Sequence, residues 1–322
     1  MSLGIPYMGS KRKLSKKIID HIIVHNPNCK YIYDLFGGGG AISFEALKRK
    51  QFKGVYYNEL NTGVVELLKK IKKDGVTKEF YEWVSREEFK EKVNDNDWKG
   101  GLIKTIWSFG NNQKDYLFSD ESEYIKNILH EIIINDSKVH IEKFKKEYNI
   151  FIDTSNIKND SFINRRLKIM SFLKKEIKER LDLQKLQKLE QLEQLGRLQQ
   201  LERLGRLGIM EQLGRLGIME QLEISNLSYN DVIIKTPIDE TVIYLDPPYF
   251  DTAKYQKDIN DDDFLSYVNS SPYKIYMSSY ELPFNKVASF QHTSTLSRTA
   301  NNKVTENLYC NREELKIQQT LF

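Results

Sequence analysis

The sequence has few cysteines and no long apolar run near its start. Cys29 and Cys310 are the two cysteines in 322 residues, which is too few for a disulfide framework. The first residues, Met1 to Lys13, contain no apolar stretch of the length that a signal peptide or a membrane span requires. A cytoplasmic protein that does not associate with membranes is therefore expected.

Metal-binding patterns are also missing. The five histidines show no spacing with cysteine or acidic residues that resembles a zinc site or a facial triad. The sequence therefore predicts chemistry that runs without a protein-bound metal.

Charge is nearly balanced. The formal net charge of +4 permits an anionic partner but does not by itself indicate nucleic acid. A hydrophobic fraction of 40% with 29% charged residues is ordinary for a folded protein. Length and composition predict one sizeable core or two modest ones and leave the function open.

The first part of the chain alternates between strand and helix patterns. Residues 31–35 form an aromatic and β-branched run that stops at the four glycines 37–40, and a helix-like stretch follows. A second run, 54–57, is followed by apolar residues at helical spacing between Val64 and Ile71. This βαβα order predicts the start of an open parallel sheet.

Strand patterns return only far downstream, at 242–245 and 274–277. Between the two regions the chain is rich in Lys, Glu, Asn and aromatic residues and has helical stretches, which favours an inserted domain. The predicted division assigns residues 1–71 and 226–322 to a catalytic α/β domain, 72–182 to the inserted domain and 183–225 to a repeat segment.

The repeat segment is rich in Leu, Gln and Gly. A leucine falls at every third residue from Leu183 to Leu207, and Leu204–Gln212 recurs unchanged as Leu213–Gln221. A period of three drifts around a 3.6-residue helix, so the leucines cannot form one coiled-coil seam. A helix in the first half is predicted, and a spacer is favoured over a dimerisation or DNA-contacting element.

The four glycines lie between a strand and a helix, where backbone amides can approach a ligand closely. Ile42 and Ser43 occupy the places where a dinucleotide fingerprint needs its third glycine, which disfavours a nicotinamide enzyme. Glu59 ends the next strand, where an acid can accept both hydroxyls of a ribose. The pattern favours a nucleoside; a solvated strand-end carboxylate is the alternative for Glu59.

The sharpest motif is Asp246-Pro247-Pro248-Tyr249 at the end of an apolar strand. The prolines lack amide hydrogens and hold a rigid turn, so the Asp246 carboxylate and the Pro247 carbonyl are free to accept hydrogen bonds from an amine. Two aligned acceptors would orient an adenine amino group for attack on a sulfonium methyl. Tyr249 would stack on the flipped base.

These motifs, in this order, resemble the adenine-specific DNA methyltransferases in which the glycine loop precedes the recognition region and the catalytic motif. Segments 6–11, 34–40, 59–61 and 246–249 resemble the family's amino-terminal element, cofactor loop, ribose-binding acid and catalytic tetrapeptide. Ser228–Asp231 resembles a segment near the cofactor's adenine, and Ser278–Glu281 resembles a strand end that supports the target-base pocket.

The resemblance implies a Rossmann-like methyltransferase sheet with an inserted, mainly helical target-recognition domain. It further implies S-adenosylmethionine as cofactor, double-stranded DNA as partner and action as a monomer, and it leaves open whether a restriction endonuclease accompanies the enzyme. The cofactor-binding residues that it implies are Tyr7, Lys11, Asp34, Phe36, Gly38, Gly40, Glu59 and Asp246. The catalytic residues that it implies are Asp246, Pro247 and Tyr249.

Two features of the inserted region could contact DNA. Trp107–Gln113 combines aromatics with side-chain amides, which suits insertion beside a flipped base, although core packing of Trp107 and Phe109 explains the aromatics equally well. A cluster of cations could neutralise phosphates, while each alone reads as a surface charge. The cluster consists of Lys143, Lys145, Lys146, Arg165, Arg166, Lys168, Lys174 and Lys175.

Two other functions stay open at this point. The acceptor could be a cytosine amine, an RNA adenine or a protein amide, although an aspartate in the first position of the tetrapeptide favours adenine by family habit. A non-catalytic DNA- or cofactor-binding protein would be favoured if Asp246 or the glycine loop were broken, and neither is.

Overall fold

The computed structural model describes residues 4–182, 218–247, 261–293 and 303–314. Within them the chain divides into two compact units. The first contains residues 4–75 and 95–101 and the described residues after 213, and the second contains residues 76–94 and 102–182. Most of the predicted repeat segment, 183–217, lies outside the described residues, as do Pro248 and Tyr249.

The first unit is built on a seven-stranded mixed sheet. Its strands, in chain order, are β1 (Tyr31–Asp34), β2 (Gly54–Asn58), β3 (Leu222–Ser225), β4 (Thr241–Leu245), β5 (Lys274–Ser279), β6 (Asn285–Thr293) and β7 (Lys303–Cys310). Their order across the sheet is β3-β2-β1-β4-β5-β7-β6. The first five run parallel, and β7 is antiparallel to both of its neighbours. This mixed α/β arrangement is consistent with a methyltransferase fold and confirms the predicted class in this coarse form.

The two helices that the sequence patterns predict in this unit follow their strands as α2 (Ala41–Leu47) and α3 (Thr62–Asp74). The unit also contains α1 (Ser15–His25), which precedes β1, and α9 (Asp261–Ser270), later in the chain, and the sequence patterns predicted neither. In α3 the Asn61 side chain accepts a hydrogen bond from the Val64 amide and so caps the first turn. Val64, Leu67, Leu68 and Ile71 are buried, because they recur on one face of this helix.

The core of this unit lies on the central strands. All five residues of β4 are buried, and Ile243 and Leu245 pack with Ile275 and Met277 of β5. Uninterrupted apolar strands are typical of a parallel sheet that is covered on both faces. The carboxyl ends of β1 and β4 lie side by side at the point where the strand order reverses, which is where open α/β sheets bind their ligands.

The second unit is mainly helical. Its helices are α4 (Arg86–Lys92), the end of α5 (Trp98–Ile106), α6 (Asp120–Asn135), α7 (Lys138–Tyr148) and α8 (Phe162–Asp182). Trp107 is fully buried, and its ring meets Trp83 edge-on with the centroids 5.0 Å apart. Trp107 is therefore a core residue, whereas Phe109 is 50% exposed and does not belong to the core.

Two predicted boundaries differ from the structure. Residues 222–225, which the sequence analysis placed in the repeat segment, form β3 and pair with β2. The helix-like stretch that follows the glycines, predicted over residues 41–50, ends at Leu47 as α2. Among the described residues, no helix is long and apolar enough to cross a membrane.

Candidate active site at the carboxyl ends of the parallel strands

The amino-terminal segment lies against the glycine loop. The Ile5 amide donates to the Gly39 carbonyl at 2.8 Å. A Cβ on Gly39 would lie 2.5 Å from the Ile5 carbonyl oxygen, so only glycine fits this backbone approach. The close contact brings the predicted amino-terminal element next to the predicted cofactor loop.

Glu59 joins the two segments. Its carboxylate accepts the Gly38 amide at 2.8 Å, the Asn61 amide at 2.9 Å and the Tyr7 hydroxyl at 3.4 Å. Burial raises the pKa of Glu59, and the two amides and the hydroxyl oppose that rise because they stabilise the ionised form. The Gly38 carbonyl in turn accepts the Tyr57 hydroxyl at 2.7 Å. Three of the predicted cofactor residues therefore lie in one hydrogen-bonded group.

Asp34 ends β1 and holds the helix that follows the loop. Its carboxylate accepts both the Ser43 amide, at 3.2 Å, and the Ser43 hydroxyl, at 2.7 Å, in the first turn of α2. Gly40 precedes that turn with φ 73°, which favours glycine. The side chain of Asp34 is buried, and this burial raises its pKa to about 7. These contacts give Asp34 a positioning role for the loop and for α2.

A second charged group surrounds Asp246, which directly follows β4. Lys11 Nζ lies 2.8 Å from Asp246 Oδ1 and 3.3 Å from Glu306 Oε1 of β7. The side chains of Lys11 and Glu306 are only 6% and 3% exposed, so neither charge is shielded by much water. Lys11 thus comes from the same amino-terminal segment as Tyr7 and pairs with the predicted catalytic aspartate.

The electrostatic balance at Asp246 has three causes. Burial raises the pKa of this carboxyl to about 6, Lys11 opposes the rise, and Glu306 adds to it. Removing either neighbour should therefore move this pKa in a known direction. In β4, the Tyr244 hydroxyl contacts Ser278 Oγ of β5 at 2.6 Å. The role of residues 278–281 beside a target base stays a prediction.

An aromatic pair lies beside the same strand ends. Phe36, after β1, stacks on Tyr229 with ring centroids 5.2 Å apart and an interplanar angle of 30°. Both rings are partly buried against the core of the first unit. Tyr229 belongs to the segment predicted to lie near an adenine, and a flat aromatic pair of this kind can pack against such a ring.

The predicted amino-terminal element, the predicted cofactor loop and the strand-end acid Glu59 thus form one hydrogen-bonded structure. Residues 7–98 match the family model of the D12 class N6 adenine-specific DNA methyltransferases. The match confirms the resemblance over this part of the chain. A comparison with curated proteins finds no match.

The D12 class match contains most of the predicted cofactor residues, from Tyr7 to Glu59. Asp246 and Pro247 follow the matched range, and the structure brings Asp246 to Lys11 inside that range. Pro247 is buried directly after Asp246. Tyr249 lies outside the described residues, so its role stays a prediction.

Glu306 is a residue of this site that sequence reasoning missed. It is the one acidic residue of β7 (Lys303–Cys310), and its side chain is buried. A lone acid in a polar and apolar strand gives no periodic signal, and its partner Lys11 lies almost the whole chain away. Only the placement of β7 beside β5 reveals it.

Proposed function

We propose that this chain is a site-specific DNA adenine methyltransferase. It transfers a methyl group from S-adenosylmethionine to the exocyclic amine of an adenine that has been flipped out of duplex DNA. One observation carries the proposal. The amino-terminal segment contacts both halves of the site, with Tyr7 on Glu59 and Lys11 on Asp246.

The residues at the strand ends fit S-adenosylmethionine. Glu59 has a carboxylate at the end of β2, beside the Gly38 amide, that can accept ribose hydroxyls. Phe36 and Tyr229 offer an apolar, aromatic surface for an adenine ring. When bound, the cofactor supplies an electrophilic methyl on a positively charged sulfonium, and the carboxylates of Glu59 and Asp246 complement that charge.

Asp246 has the chemistry that an amine acceptor needs. A partly buried carboxylate that pairs with Lys11 can accept a hydrogen bond from the amine and hold its nitrogen toward the methyl. The Pro247 carbonyl is the second acceptor in this proposal. Because the amine loses its proton only after it has gained the methyl and a positive charge, no strong base is required.

The second unit is proposed to recognise the DNA. Phe109 is half exposed next to Asn111 and Asn112, so the Trp107–Gln113 segment keeps one large apolar side chain available for a base step. Two members of the predicted basic cluster have partners within the protein itself. Arg165 donates to the Ile134 carbonyl, and Lys168 pairs with Asp160 at 2.8 Å.

We expect the pH profile of methyl transfer to report Asp246. The ionised carboxylate is the active form, so kcat/KM should fall as the pH drops through about 6, the pKa to which burial raises this group. Glu306→Gln removes a negative neighbour and should shift the acidic limb to lower pH. Lys11→Met removes the positive neighbour and should shift it to higher pH.

Glu240→Gln is the matched control for this experiment. Glu240 lies just before the amino end of β4, away from Asp246, and pairs with Lys30. Its replacement should therefore leave the acidic limb of the pH profile unchanged. Identical limbs in the wild type, Glu306→Gln and Lys11→Met would show that Asp246 does not set the profile.

Glu59→Gln tests the cofactor assignment. The amide keeps the volume of the side chain but replaces one charged acceptor with a donor, which weakens hydrogen bonds to the ribose hydroxyls. We expect the dissociation constant of S-adenosylmethionine to rise by about 10- to 100-fold, measured by isothermal titration calorimetry. Glu223→Gln, an exposed residue of the neighbouring strand β3, is the control. Equal affinity for S-adenosylmethionine in both variants would show that Glu59 does not bind the cofactor.

A further inference from the structure

Two histidines lie one turn apart at the end of α1. His21 and His25 are both in α1, and their ring centroids are 4.4 Å apart. Their side chains are 16% and 18% exposed, so the imidazoles are partly withdrawn from water but can still be reached. Side chains four residues apart on a helix project from the same face, which is a common arrangement for two metal-binding histidines.

Glu314 brings a carboxylate to this pair from the segment after β7. His21 Nε2 lies 2.9 Å from Glu314 Oε1, and His25 Nδ1 lies 3.5 Å from Glu314 Oε2. One ligand atom from each of the three residues lies within 4.8 Å of the other two. Ligand atoms bound tetrahedrally to one ion at about 2.0–2.2 Å are about 3.3–3.6 Å apart, so small side-chain rotations would bring the three residues onto one ion.

Neighbouring groups fix the carboxylate. The Tyr276 hydroxyl donates to Glu314 Oε1 at 2.7 Å, and Asn26 Nδ2 donates to the Tyr276 hydroxyl at 2.9 Å. Tyr276 is fully buried in β5, so the hydroxyl that holds the Glu314 carboxylate is itself fixed by a central strand. Outer hydrogen bonds of this kind orient the residues that bind a metal.

The surrounding charges also bear on a cation. Two neutral imidazoles and one carboxylate give the cluster a charge of −1, which favours a divalent ion. Lys274 Nζ lies over the Tyr276 ring, 5.7 Å from its centroid, and its positive charge opposes cation binding. Imidazole ligands bind zinc-type ions strongly, which offsets the repulsion from Lys274. They bind Mg²⁺ poorly, so the cluster favours a zinc-type ion over Mg²⁺.

We propose that His21, His25 and Glu314 form a binding site for one divalent transition-metal ion of the zinc type. The ion would link the end of α1 to the segment after β7, and solvent would complete its coordination. Sequence reasoning missed this site. The four-residue spacing of His21 and His25 is a signal for it, but Glu314 lies far along the chain from both histidines. The role is structural and independent of methyl transfer.

The test is zinc binding by the full chain without an affinity tag. Protein stripped with a chelator is dialysed against ZnCl₂ and, separately, against MgCl₂, and the bound metal is measured by mass spectrometry. We expect one equivalent of zinc, no retained magnesium and a higher melting temperature with zinc. Cobalt should give the visible absorption bands that four-coordinate nitrogen and oxygen ligands produce.

Matched variants separate this site from adventitious binding. His25→Gln and Glu314→Gln should each weaken zinc binding at least tenfold, and Tyr276→Phe should weaken it by about tenfold because the carboxylate loses its support. His140→Gln changes a histidine of the second unit and should bind zinc as the wild type does. Circular dichroism of the metal-free variants checks that they fold.

Three results would overturn the proposal. They are substoichiometric zinc in the wild type, equal zinc binding in His25→Gln and His140→Gln, and cobalt spectra that do not change in Glu314→Gln. In each case the three residues would form a hydrogen-bonded network and not a metal site.

Discussion

Asp246→Asn should lower kcat for methyl transfer by about 10²- to 10³-fold, the loss typical of removing one positioned polar group from a transition state. The amide has the shape of the carboxylate, but it carries no charge and presents a donor where the amine needs an acceptor. Lys11 keeps its second partner, Glu306 Oε1, at 3.3 Å, so the variant should retain the buried ion pair and fold.

Asp239→Asn is the control for this prediction. Asp239 is exposed just before β4, whereas Asp246 directly follows the same strand, so the two variants test the same chemical change at opposite ends. Single-turnover rates at saturating cofactor and DNA separate chemistry from binding. An Asp246→Asn rate within a few-fold of the wild-type rate would mean that this carboxylate does not hold the amine.

Gly40→Ala should destabilise the protein much more than Gly110→Ala. Both glycines have a left-handed backbone conformation, with φ 73° and ψ 16° at Gly40 and φ 58° and ψ 15° at Gly110. A left-handed conformation costs an alanine about 1–2 kcal/mol at either position. At Gly40 the new Cβ would also lie 2.4 Å from Phe44 Cε2, whereas at Gly110 nothing lies within 4 Å.

Phe44 is fully buried in α2, so its ring cannot move aside without disturbing the core. Overpacking of this kind adds about 1–3 kcal/mol, and the total for Gly40→Ala is then about 2–5 kcal/mol. Urea unfolding, monitored through hydrogen exchange of the β1 and β4 amides, measures the loss in the free energy of unfolding of the first unit, and the α6 amides report the second unit, which contains Gly110. We expect Gly40→Ala to lose S-adenosylmethionine affinity as well. Equal losses of stability in the two variants would contradict the packing described around the glycine loop.

The sequence patterns predicted the strands that carry the site because each ends on a recognisable motif. β1 stops at the glycines, β2 stops before Glu59, and β4 stops at Asp246. Parallel strands place their carboxyl ends at one edge of the sheet, so three separate motifs become neighbours as soon as the sheet forms. Local pattern and parallel topology were sufficient for this part.

The antiparallel end of the sheet and the ionic contacts could not be predicted in the same way. β6 and β7 carry mixed polar and apolar residues, and the bulge between Lys286 and Ala288 breaks the alternation that marks a strand. Glu306 and Glu314 meet their partners across almost the whole chain. Contacts of that kind depend on tertiary placement and leave no trace in local spacing.

Side-chain burial resolved one question that the inserted region had left open. Trp107 and Phe109 are two residues apart and were equally compatible with a core or with DNA. Trp107 packs among Trp83 and Phe118, and Phe109 is exposed. The assignment of the second unit to target recognition stays a prediction.

The central claim is tested most directly by identifying the methylated base. Wild-type protein is incubated with unmethylated duplex DNA and S-adenosylmethionine carrying a labelled methyl group, and the DNA is then digested to nucleosides and separated. Label in N6-methyl-2′-deoxyadenosine is the predicted result. Label in N4-methyl-2′-deoxycytidine, or no label in DNA while the protein still binds the cofactor, would contradict the claim that this chain methylates adenine in DNA.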